Sequence, residues 1–317
     1  MTASPILIRP TPTTSTSASA DGVFSIDLED FSQLTCRDAT GYLPECSADL
    51  DRQIDVILKL LAEHGISGTF FSLGMLASRR PDIIRHIHQA GHEIASHGSQ
   101  HRKASTQTRA EFAADVGESL KLLQDIIQAP VLGYRAPVFS IVRDNLWALE
   151  VLAELGIVYD SSIFPMRLRR YGIAGFDPMP RRYALPAGQS IVEIPLVSWQ
   201  VGRRHLPIAG GGYLRLMPQW FMRTAIDALR AQQRWLTFYL HPYEFDPQPL
   251  DVARSFPEHL RMPAAKRFAL NAKWNLRRRS IVPKVQWLCR HVRFLTYGEL
   301  ARRVQSEQTC RPLPLPA

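Results

Sequence analysis

Three carboxylates, Asp27, Glu29 and Asp30, close a short apolar run, and two histidines, His97 and His101, follow another. Both groups contain residue types that can ligate a divalent cation. On a helical turn, an i, i+4 pair of imidazoles faces one side and can share one metal. Two histidines with one carboxylate leave positions open for water and substrate. Such a cation lowers the pKa of its water from 15.7 to about 7 and polarises a carbonyl. A second carboxylate of the cluster can take a proton from the attacking water, a role worth roughly 10²–10⁴-fold. His241 follows the apolar run Trp235–Leu240, where a structural histidine is the usual expectation. In this company it reads as the general acid for a departing amine. Each motif has a plainer reading by itself: a solvated loop or helix cap for the carboxylates, surface residues for the histidines. Their joint occurrence favours chemistry.

The elements that must position them alternate. Val23–Ile26 reads as a strand, and a helix from Asp49 carries Leu50, Ile54, Ile57, Leu58 and Leu61 on one face before Gly65. Gly68–Leu73 and Glu93–Ser96 are strands around a helix from Pro81 to Gly91. Thr108 with Glu111 forms a capping box for a helix to Ile127. Further strand patterns fall at 131–134, 157–160, 191–194, 236–240 and 292–295. Repeated β-then-α order predicts an α/β fold, a parallel sheet with helices outside, either barrel or open. In a parallel barrel, functional side chains gather at the C-terminal strand ends. There stand Asp27–Asp30, His97–His101, Arg135-Ala136-Pro137, Asp160-Ser161-Ser162 and His241-Pro242: a metal site, a base, an acid and an orienting arginine.

Of the 317 residues, 45% are hydrophobic and 21% charged, an ordinary globular composition. The expected organisation is a flexible tail over 1–21, a barrel core over 22–246 and a basic extension over 247–317 that packs on or completes the barrel. The tail's Thr/Ser/Ala run has no large apolar residue to repay ordering. Ile6-Leu7-Ile8 is too short for the apolar core of a signal peptide, and no window reaches a transmembrane span, so a cytoplasmic location is expected. Cys36, Cys46, Cys289 and Cys310 lack zinc-finger spacing and read as reduced thiols. The formal charge of +9 concentrates late, in Arg261, Lys266, Arg267, Lys273, Arg277, Arg278, Arg279 and Lys284. That face is either a solvated helix surface or one that meets an acidic polymer, a lipid-linked pyrophosphate or an anionic membrane. No nucleic-acid module is present, and nothing bears on oligomeric state.

The whole constellation resembles the polysaccharide deacetylases of carbohydrate esterase family 4, the type with NodB homology. Ser25-Ile26-Asp27 with Glu29 and Asp30, His97 to His101, Arg135-Ala136-Pro137, Asp160-Ser161-Ser162 and Leu240-His241-Pro242 are similar to its five motifs, in order. Gly68-Thr69-Phe70-Phe71 and Gly91-His92-Glu93-Ile94 look like its framework. The Asp-x-Glu-Asp run, His-Gly-x-x-His, Gly210–Leu216 and His241–Asp246 look most like the exosortase-associated exopolysaccharide deacetylases. The resemblance implies a distorted (β/α) barrel and a divalent metal, zinc, with cobalt as a substitute. The implied substrate is an N-acetylated glycan, which can be lipid-linked. It further implies that Asp27 is the base, His97 and His101 are ligands, Arg135 orients the base, His241 is the acid and Asp160 holds His241. Leu28 stands where a second Asp is usual, so the third ligand is Glu29 or Asp30; alternation along the strand favours Glu29. Gly98 replaces a Ser/Thr. Val138 replaces an aromatic residue, and its N–H can still stabilise an oxyanion.

Two other functions compete. One is an amide hydrolase of the same architecture acting on a small cyclic or linear amide, favoured if the segment 164–213 closes the site. The other is an inactive carbohydrate-binding scaffold. Within 164–213, Trp199 and Gly210–Gly212 are either sugar-facing or plain core and turn.

Overall fold

Alternation in the first strand sets the architecture. In Gly22–Leu28, Phe24, Ile26 and Leu28 join the main hydrophobic core, whereas Val23 joins a second cluster on the opposite face. Ser25 and Asp27 follow Val23 with period two, so the polar groups share its face. The computed structural model describes residues 21–313, save 169, 170, 203, 255, 261 and 308. Of the expected tail, residues 1–20 lie outside the described residues.

The strands are β1 Gly22–Leu28, β2 Thr69–Ser72, β3 Glu93–Ser96, β4 Gly133–Tyr134, β5 Tyr159–Asp160, β6 Arg181–Ala184, β7 Ser190–Glu193, β8 Ser198–Val201, β9 Arg204–Pro207, β10 Leu236–Leu240, β11 Phe294–Leu295 and β12 Arg311–Pro312. The main sheet runs β10-β1-β2-β3-β4-β5-β7-β6-β12, with β11 also on β1. Every pairing is parallel except β6 with β7. The order has two ends, so the expected (β/α) barrel is present as an α/β layered sheet that does not close among the described residues. β8 and β9 form a separate antiparallel hairpin. The parallel β-then-α reading holds. The antiparallel pairs in 181–207 have no helix between their strands; of those strands only β7 falls on an expected pattern, at 191–194.

Outside the sheet, helices Asp49–Glu63, Pro81–Gln89, Arg109–Ile127, Gln219–Ala231 and Ile281–His291 bury apolar stripes in the main core. The Thr108–Glu111 capping box is present, with Thr108 N–H donating to Glu111 Oε2 at 2.8 Å. Among the described residues, no helix is long and apolar enough to cross a membrane.

One helix lies on the other face. Tyr297–Ser306 buries Tyr297, Leu300, Ala301 and Val304 against Val23, Phe71, Ala95, Tyr159, Val192 and Ile194. A Thr296–Glu299 capping box starts it. The backbone N–H groups of Tyr297 and Gly298 then donate to Thr69 Oγ1 and Glu93 Oε2. A Cβ on Gly298 would stand 2.4 Å from Glu93 Oε1, so the chain can approach that closely only as glycine. Residues 294–306 thus supply both a strand beside β1 and the apolar filling of the inner face. Leu300→Ala is expected to cost about 2–5 kcal/mol in urea unfolding, as a buried leucine truncation does. A change under about 1 kcal/mol would show that this helix is not part of the cooperative core.

Candidate active site

The C-terminal ends of β1, β3, β4 and β10 converge on a cavity of about 500 Å³ lined by Asp27, Glu29, His97, His101, Val138 and His241, with an aromatic wall. β1 delivers Asp27 and, just beyond the strand, Glu29. Arg135 follows β4 and is completely buried. Its Nη1 donates to Asp27 Oδ1 at 2.6 Å and Ser25 Oγ at 2.8 Å. Nε donates to Ser161 O at 3.1 Å, and Nη2 donates to Ser161 Oγ at 3.2 Å and Tyr297 Oη at 2.9 Å. Each of the five guanidinium N–H groups therefore has an acceptor. Phe71 lies under the guanidinium carbon, 3.9 Å from ring centroid. Burial disfavours the charge, yet the Asp27 carboxylate beside it holds the Arg135 pKa above its ordinary value.

Glu29, His97 and His101 form one cluster. Glu29 Oε1 is 3.0 Å from both His97 Nε2 and His101 Nε2. His97 Nδ1 lies 2.8 Å from the backbone carbonyl of Arg135, which only a protonated Nδ1 can satisfy. In the neutral ring, Nε2 is then a bare lone pair aimed at a carboxylate oxygen. Two acceptors at 3.0 Å repel unless a cation lies between them, either an added proton or a metal ion. A carboxylate and two imidazoles are the donor set of a catalytic zinc-type centre, and one His already has the carbonyl partner that orients such ligands. The residues fit a divalent metal. Burial raises the Glu29 pKa, but the imidazoles opposite it prevail and hold it well below the usual carboxylate range.

The route by which the histidines meet differs from the expected helical turn. Residues 97–101 form a bent loop, with Gly98 at φ 78° and His101 at φ 51°. Asp115, from the helix Arg109–Ile127, ties the loop by accepting from the N–H groups of Ser99 and Gln100. A Cβ at position 98 would meet Asp115 Oδ2 at 2.7 Å. Both the dihedral and the contact require glycine there, which accounts for the missing Ser/Thr.

Two expected roles are not supported by position. Asp30 is not with the ligand cluster: its carboxylate caps the helix Phe31–Thr40, accepting from Gln33 N–H at 3.0 Å and also from Ser47 N–H. Alternation turns Glu29, not Asp30, to the side of Asp27. Asp160 does not hold His241. Its carboxylate accepts from Ser162 N–H at 3.1 Å and Ser162 Oγ at 2.6 Å, and bonds to Glu193, both acids being completely buried. Burial and the neighbouring Asp160 push Glu193 well above the carboxylate range, so Glu193 is the protonated partner and donates. Ser162 Oγ in turn accepts from Ala136 N–H at 2.7 Å, bracing the loop after Arg135.

The group beside His241 is Glu244. Its Oε2 accepts from His241 N–H at 3.0 Å and lies 3.4 Å from His241 Nδ1. Sequence reasoning missed it, although an acid three residues after a histidine at a helix start is the capping spacing already used for Thr108 and Glu111. Burial works against a charge on His241; Glu244, Glu29 and Asp27 outweigh it and raise the pKa to about 9. Gly211 makes room for this pair, since a Cβ there would fall 1.9 Å from Glu244 Oε2. Gly212 and Tyr213 line the cavity beside Tyr171. Trp199 does not reach it, and packs on Phe221 with centroids 5.3 Å apart. The four cysteines are free thiols.

In the metal-free protein, His241 is expected to titrate near 9 by imidazole NMR. Glu244→Gln removes the nearest negative charge and should move that titration to lower pH. An unmoved titration would show that Glu244 does not govern the imidazole.

Residues 49–159 match the family model described as polysaccharide deacetylase, and residues 161–302 match a domain of unknown function, DUF3473. A chitooligosaccharide deacetylase of Sinorhizobium fredii is 33% identical over 147 residues, 46% of this chain and 60% of that protein. A peptidoglycan-N-acetylglucosamine deacetylase of Bacillus cereus is 28% identical over 81 residues, 26% of this chain and 38% of that protein. The chain thus spans at most 60% of the length of these curated relatives. Among solved structures, a Mycobacterium smegmatis protein assigned to the polysaccharide deacetylases superposes with TM-score 0.64 at 20% identity, covering 97% of this chain and 99% of that one. Puue allantoinase superposes with TM-score 0.57 at 17% identity, covering 90% of each chain. Those two likenesses show the fold. Residues 49–159 and the segments matched by the curated relatives are thus similar to polysaccharide deacetylases.

Proposed function

We propose that the protein is a metal-dependent hydrolase that removes acetyl groups from N-acetylated sugars of a polysaccharide, during exopolysaccharide biosynthesis. The observation that carries this reading is the cluster of Glu29, His97 and His101 on one cavity with His241 and with Asp27, itself held by Arg135. The polysaccharide-deacetylase match and the curated chitooligosaccharide and peptidoglycan deacetylases support the substrate class.

A divalent cation such as zinc, held by Glu29, His97 and His101, would acidify water and polarise an acetyl carbonyl. Asp27, fixed by Arg135, removes a proton as water oxygen bonds to the acetyl carbon. The Val138 N–H stabilises the tetrahedral oxyanion. His241 protonates the sugar nitrogen as the C–N bond breaks, leaving acetate and a free amino sugar. Tyr171, Tyr213, Tyr239, Tyr243 and Trp274 form an aromatic wall against which a sugar face can stack.

A second reading, a small amide as substrate, is favoured by one observation. Tyr171, Gly212 and Tyr213 come from the 164–213 segment and line the cavity of about 500 Å³, a volume that also suits a small ligand.

Protein stripped with chelator and re-supplied with zinc or cobalt should release acetate from chito-oligosaccharides, and His97→Ala should abolish it. Asp27→Asn and His241→Ala should each fold and lose roughly 10²–10⁴ in kcat. A near-normal rate in either variant removes that residue from the mechanism. Metal binding without acetate release, but with turnover of a small cyclic amide, would select the second reading. Because His241 must be protonated to act, the rate should fall as pH rises through its pKa. That pKa is about 9 without metal; a bound dication opposes the imidazolium charge and moves the fall to lower pH.

A further inference from the structure

The helix Ala264–Asn275 is inverted relative to the other outer helices. None of its residues is buried. Its anchoring contacts are largely polar: Asn271 Oδ1 accepts from Val252 N–H at 2.8 Å, Asn275 Oδ1 accepts from Leu250 N–H at 2.9 Å, and Arg267 pairs with Asp251. Trp274 is the large apolar group turned inward, against Phe31 and Tyr243 at the cavity wall. At 3.6 residues per turn, Phe268, Ala272 and Leu276 fall in one row at i, i+4 and i+8, with Ala265 and Ala269 beside it. All five are exposed, Phe268 at 76% and Leu276 at 55%. An amphipathic helix ordinarily buries such a row.

Charge surrounds it. Residues 261–293 contain ten Lys and Arg and no Asp or Glu, against a net +9 for the whole chain. Lys266 and Lys273 lie on the helix next to Ala269, exposed. Arg277, also exposed, donates to the carbonyl of Leu216, an exposed apolar residue of the cavity wall. A second copy of this chain would complement the apolar row but would set the same lysines against each other. A surface that is apolar inside and anionic outside complements both.

We propose that this helix docks the protein on an anionic lipid bilayer. Phe268 and Leu276 enter the acyl boundary, and Lys266, Lys273 and Arg277 meet headgroup phosphates. Through Arg277 and Leu216, docking sets the cavity wall beside the bilayer. Nothing in it depends on the reaction performed.

The full chain is sedimented with vesicles of phosphatidylglycerol and phosphatidylethanolamine, and separately of phosphatidylcholine, at low and raised salt. Partition to the anionic vesicles should exceed that to the neutral ones by about tenfold or more and fall with salt. The double variant Phe268→Ser/Leu276→Ser, and separately Lys266→Glu/Lys273→Glu, should each lose about tenfold. Their Tm and their acetate release from soluble chito-oligosaccharides should stay unchanged. Equal partition to both vesicle types, or undiminished binding by the serine variant, would overturn the proposal. A concentration-dependent dimer that the serine variant abolishes would also overturn it, and would assign the row to a second copy.

Discussion

The buried guanidinium of Arg135 is the constraint around which the rest is arranged. A charge removed from water without full pairing is destabilising by roughly 3–5 kcal/mol. Here its five N–H groups are taken up by Ser25 and Asp27 of β1, by Ser161 after β5 and by Tyr297 of the inner helix. Segments from the start, middle and end of the chain must therefore be in register before that charge is satisfied. The same residue's carbonyl takes the Nδ1 proton of His97. One position thus fixes both the carboxylate proposed as base and the tautomer of a proposed ligand.

That coupling explains the division of charge in the cavity. Asp27 is neutralised by Arg135 at 2.6 Å, so it adds little attraction for a cation. Glu29 has no such partner; it faces two imidazole nitrogens instead, and its contact with the His97 lone pair is repulsive unless a cation lies between them. Across the cavity, Glu244 supports a protonated His241. A carboxylate paired with a buried arginine, a carboxylate facing two imidazoles and an imidazole beside a buried carboxylate are three different answers to burial, each set by the nearest charged group.

The β1, β2, β3 and β10 strands were legible because their apolar residues are clustered, and β1, β3 and β10 each end in chemistry-bearing residues. β4 and β5 were legible as runs but pair over only two residues each, because the chain leaves the ladder for the Arg135 and Ser161 contacts. The inner helix was missed although Thr296 and Glu299 spell its cap. Its burial depends on pairing with Thr69 and Glu93, more than 200 residues earlier, which no local pattern carries. His97 and His101 were brought together as spacing suggested but by other means: two left-handed residues and an Asp115 tether in place of a helical turn. Asp160 was assigned to His241 by resemblance of motif. The local acid Glu244 holds that position, and a buried partner, Glu193, accounts for Asp160.

Glu193 also bears on the loop proposed to hold the oxyanion. Val138 and Phe139 stand at φ 57° and 51°, unusual for a β-branched and an aromatic residue and costing about 1–3 kcal/mol each. Such a conformation persists only where its surroundings over-determine it. Ala136 N–H is held by Ser162 Oγ, Ser162 by Asp160, and Asp160 by the proton it shares with Glu193. Were Glu193 ionised, two buried carboxylates would face one another with a single guanidinium nearby already bound to Asp27. Protonation leaves one negative charge where the serine network needs an acceptor. The loop carrying Val138 is thus braced through Ser162 and Asp160 against a buried acid, Glu193, that lies outside every motif marking the site.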